Sequence, residues 1–120
     1  MITPSMIGIP KVDNCYPWNT VLLDNENRIA YAHRLPVNGP EIYMKRIKNN
    51  CLTVRREYNT SIGKTVITSL FDKDNKMINY MVKINDTVEE FARSTSRKLK
   101  IYRPNAKTIG KTIKRLLTKK

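Results

Sequence analysis

The sequence predicts an α+β fold: an irregular N-terminal arm, a β-hairpin, a three-stranded antiparallel meander and two C-terminal helices. Three observations carry this prediction. Two apolar runs flank an Asp- and Asn-rich turn twice, in TVLLDNENRIAYAHRL (20–35) and in TVITSLFDKDNKMINYMVKI (65–84). CLTVRREY (51–58) alternates like a strand. From Thr87 onward the apolar positions step by three or four, as on a helix.

Taken in order, residues 1–19 read as an arm, because Pro4, Pro10 and Pro17 disfavour regular structure. Tyr16 and Trp18 would anchor it on the body. Residues 20–35 form the first hairpin, with DNENR at its tip. After Pro40, PEIYMKRIKNN reads as a short helix that partly buries Ile42, Met44 and Ile47. Residues 51–84 then make the meander. LLDNENRI and LFDKDNKM match at most positions, 48 residues apart. Shared turn chemistry explains this better than an internal repeat does. DKDNK also resembles the start of a calcium loop, but Met77 stands where a glycine is needed and Lys83 where a glutamate is.

A helix over about 87–100 is expected next. Thr87 and Glu90 have capping-box spacing, and Val88, Phe91, Ala92, Thr95 and Leu99 share a helical face. Its acids fall in the first turn and its cations in the last, which suits the helix dipole. Arg103-Pro104 ends it, and Asn105 caps a final helix over 105–120. That helix would carry an apolar stripe of Ile109, Ile113, Leu116 and Leu117 beside a basic one. The organisation is therefore an arm (1–19), an α+β core (20–104) and a basic amphipathic helix (105–120). In outline, within residues 41–100, three strands followed by a helix is similar to the sheet-and-helix DNA-binding modules of phage integrases, and helix–three strands–helix is similar to double-stranded RNA-binding domains.

The net charge of +13 is spread unevenly. Residues 1–44 are net −1, residues 45–92 net +3 and residues 93–120 net +11. No acid follows Glu90. This asymmetry points to a polyanion, and nucleic acid is the commonest one in a cytoplasm. The expected contact residues are Arg55, Arg56, Arg93, Arg97, Lys98, Lys100, Arg103, Lys107, Lys111, Lys114, Arg115, Lys119 and Lys120, with Tyr102 as a stacking candidate. The last helix carries no Asn or Gln on its basic face, so phosphate contacts are favoured over base reading, with DNA slightly ahead of RNA.

Other chemistry finds less support. His33 is the only histidine, and Cys15 and Cys51 lie far apart, so neither a metal site nor a disulfide is expected. Asp72 and Asp74 suit a turn, Glu89 and Glu90 a first helical turn, and the four glycines form no phosphate loop. No enzyme activity or cofactor is therefore expected. A nuclease would have to use Asp72 or Glu89. With no long apolar run and no signal peptide, the expected location is the cytoplasm. The Asn-, Lys- and Ile-rich composition fits an AT-rich genome such as a phage's. Two alternatives remain: a factor that docks its basic helix on an acidic host protein, and a ribosomal or virion component.

Overall fold

The computed structural model describes residues 2–12, 18–37, 39–61, 63–95 and 98–102. It overturns the α+β expectation. Eight antiparallel strands form one sheet in strict chain order: β1 (Thr20–Leu23), β2 (Ile29–Arg34), β3 (Glu41–Arg46), β4 (Leu52–Thr60), β5 (Gly63–Phe71), β6 (Met77–Ile84), β7 (Thr87–Thr95) and β8 (Lys98–Tyr102). The only α-helix among the described residues is one turn in the arm, α1 (Pro4–Ile7), which Pro4 begins at a position that needs no N–H donor. A 3-10 turn, Lys48–Asn50, joins β3 to β4.

Two expected helices are strands. The segment after Pro40 is β3, in which Ile42, Met44 and Arg46 alternate with Glu41, Tyr43 and Lys45. The segment 87–100 is a hairpin, β7 and β8. Asn85 and Asp86, both at positive φ (49° and 67°), make a two-residue turn between paired Ile84 and Thr87. Both φ signs match the mirror-image turn that follows the twist of a hairpin. The acids therefore cap no helix. Helical spacing misled here because Phe91 and Ala92, neighbours pointing to opposite faces, are both buried. A strand buried on both faces loses its two-residue period. The expected helix over 105–120 lies outside the described residues, as does Tyr16.

The hairpin tips at DNENR and DKDNK are built alike. Asp24 Oδ1 accepts from the N–H groups of Glu26 (2.8 Å) and Arg28 (2.9 Å). Asp72 Oδ1 accepts from those of Asp74 (2.8 Å) and Lys76 (2.9 Å). Asn27 and Asn75 then take positive φ, 61° and 64°.

Register divides the sheet into two faces. One, the arm face, holds the core. Ala32, Ile42, Met44, Leu52, Val54 and Phe71 pack there with Val12 and Trp18. Ile67, Tyr80, Val82 and Ala92 pack there with Ile2, Met6 and Ile7 of the arm. The arm is thus the second layer that the sheet's apolar face requires. The far face has a smaller cluster, in which Met81, Val88 and Tyr102 surround buried Phe91.

Candidate functional site

Far-face side chains follow from the pairing. One cross-strand row runs Thr20, His33, Tyr43, Arg55, Thr68, Met81, Phe91, Tyr102. The next runs Leu22, Tyr31, Lys45, Thr53, Leu70, Asn79, Arg93, Lys100. On the other side of the first row lie Glu41, Glu57, Val66, Lys83 and Val88. Lys64 and Lys98 belong to the same face by register. Among the described residues the strands therefore bring seven cations and two carboxylates to this face: Lys45, Arg55, Lys64, Lys83, Arg93, Lys98 and Lys100 against Glu41 and Glu57.

Both carboxylates are engaged. Glu57 accepts from Arg55 Nη2 at 3.0 Å and has Lys64 Nζ at 3.6 Å. Glu41 Oε2 lies 2.8 Å from His33 Nε2 and accepts from the Tyr43 hydroxyl at 2.9 Å. The His33 contact, then the Tyr43 hydroxyl, holds the Glu41 carboxyl below its ordinary range. The same carboxylate pushes the Tyr43 hydroxyl up, because loss of its proton would break that bond. The His33 and Tyr43 rings stack, with centroids 4.3 Å apart and planes 12° from parallel.

Between these rows lies a hollow of about 400 Å³, lined by Arg55, Lys64, Val66, Thr68, Met81, Lys83 and the turn residues Asn85 and Asp86. Three strands each bring one cation to its wall. Arg55 and Lys64 keep side-chain exposures of 43% and 56% while near Glu57, so their N–H groups remain within reach of an incoming anion. At the far end of the face, Arg93 lies over the Tyr102 ring, 5.9 Å from its centre, and Tyr102 is tilted against Phe91 at 5.9 Å. Asn79, paired with Arg93 and 2% exposed, has a buried Nδ2 without a partner among the described residues, as has Arg93 at Nε.

The expected contact residues thus separate. Arg55, Arg93, Lys98, Lys100 and Tyr102 meet on the far face. Arg56 does not: it is 3% exposed on the arm face, where β4 directs every second side chain. Arg97, Arg103, Lys107, Lys111, Lys114, Arg115, Lys119 and Lys120 lie outside the described residues. Lys64 and Lys83 were not among the expected residues, although each stands in an alternating strand in phase with an apolar opposite face. Among the described residues no three His, Cys, Asp or Glu side chains come together as metal ligands, and no helix is long and apolar enough to cross a membrane. Compared with protein-family models, curated proteins and solved structures, the chain matches none.

Proposed function

We propose that this protein binds single-stranded nucleic acid in the cytoplasm, through the far face of its sheet and mainly by phosphate contacts. One observation carries the reading: among the described residues the strands bring seven cations to that face against two carboxylates, both already bonded, with Asp86 of the β6–β7 turn at the rim of the hollow. The stacked His33 and Tyr43 rings and the Tyr102 ring, which covers buried Phe91, stand among them. Cations that track a backbone, interleaved with aromatic rings that meet bases, suit a single strand laid across a sheet. A duplex groove admits a helix or a two-stranded ribbon. A face eight strands wide does not enter one.

The test is fluorescence anisotropy with labelled single-stranded DNA, single-stranded RNA and duplex DNA across a salt series. Single strands should bind more tightly than duplex. If all seven cations engage, the log–log salt slope should approach about −5, at about −0.7 per contact. Equal affinity for all three polymers, lost by physiological salt, overturns the proposal.

A further inference from the structure

We propose a second binding site, on the opposite face: a cleft between the arm and the sheet that takes an oxyanion, phosphate or carboxylate, carried on an apolar body. The cleft measures about 410 Å³, within the span of small-ligand sites. Arg56 lines it from the middle of β4 and is 3% exposed. Its cross-strand neighbours are Ile42 and Ile67. Nη2 donates to the Gly8 carbonyl of the arm, and buried Nη1 has no partner among the described residues. Among the described residues no carboxylate pairs with it, and burial pulls the guanidinium below its ordinary range. A guanidinium held this way is costly for the fold, since a neutral donor could tie down the arm just as well. An oxyanion in the cleft supplies the missing countercharge and matches the planar fork of arginine.

A second cation stands close by. Arg34, 7% exposed, is separated from Arg56 by Ile42 alone, so their Cα atoms lie two strand spacings apart, about 10 Å. Its Nη2 donates to the Val37 carbonyl at 3.1 Å, which holds the guanidinium at the cleft beside Gly39. The remaining wall is mostly apolar and aromatic, with Ser5 and Lys11 of the arm as its polar members. Trp18, Tyr58, Ile9 and Pro10 line it. Two cations at the base and rings at the sides call for a ligand with an anionic head and an apolar body. The cleft and the proposed nucleic-acid surface lie on opposite faces, so each can fail without the other.

Trp18 is the only tryptophan and lines the cleft, so its fluorescence reports occupancy directly. The full chain is titrated with phenyl phosphate, benzoate and inorganic phosphate, with chloride holding ionic strength constant. A saturable change is expected, and the tighter of phenyl phosphate and benzoate identifies the head group. Inorganic phosphate should bind more weakly than phenyl phosphate, because it lacks the body that meets the rings. Arg56→Met should weaken binding by about tenfold or more, the loss expected for a charged hydrogen bond. If circular dichroism shows that variant unfolded, Arg56→Lys keeps the charge and the stem but loses the fork, and should weaken binding likewise. No saturable response to any probe, or the same response in the folded Arg56 variant, overturns the proposal.

Discussion

Arg55 and Arg56 are consecutive in β4 and point to opposite sides of the sheet. Arg55 keeps 43% of its side-chain exposure beside Glu57 on the far face, and Arg56 is 3% exposed against the arm. One extended peptide thus presents two guanidinium groups to opposite faces. A one-residue slip of register would exchange them and turn the core outward. The role proposed for Arg55 on the far face makes a direct prediction. Changing Arg55, Lys64 and Lys83 together to Gln should weaken single-strand binding at low salt. It should also flatten the log–log salt slope by about 2, the share of three contacts. Anisotropy across a salt series reads both. An unchanged slope would remove the hollow from the interface.

Glu41 predicts how stability depends on pH. The His33 contact and the Tyr43 hydroxyl hold its carboxyl below the ordinary 4.5 in the folded chain. A depressed carboxyl stabilises the fold fully above the unfolded value and loses that contribution as pH falls through the folded one. Urea unfolding should therefore show stability declining below about pH 4.5 as Glu41 takes up a proton. Glu41→Gln should decline less steeply over that window. Parallel acid limbs in the two proteins would refute the assignment.

Gly63 begins β5 at a φ of +134°, where side chains are strained. A Cβ there would stand 2.1 Å from Asn85 Oδ1, the atom that accepts from the Lys64 N–H at 3.0 Å. Gly63→Ala should cost roughly 1–3 kcal/mol from backbone strain and displacement of that bond. The check is a thermal melt, and an unchanged midpoint would contradict the geometry.

Asn75 takes a φ of 64° at the tip of the β5–β6 hairpin. Asn75→Gly should be close to neutral, whereas Asn75→Val should cost about 1–2 kcal/mol, because a branched Cβ crowds the backbone in the left-handed region. The matching pair at Asn27, φ 61°, should behave alike. Denaturant midpoints that do not separate Gly from Val would show that the tip is free to rearrange.

The amino-acid sequence alone determined what depends on near neighbours. Asp24 and Asp72 shape their turns through bonds to backbone two and four residues on, so DNENR and DKDNK are legible as hairpin tips. The alternation of β4 is legible for the same reason, as is the drift of charge toward the end of the chain. Only the tertiary structure decided what depends on partners distant in the chain. β7 is a strand because Phe91 and Ala92 find Met81 and Tyr80 across β6; by spacing alone they fit a helix. Lys64 and Lys83 join Arg55 only through pairing of β4 with β5 and of β5 with β6. The arm, folding back over one face, decides which of two adjacent arginines is buried. Local hydrogen bonds are written into a few residues, whereas register and layer order are set by the total apolar surface the whole sheet must cover.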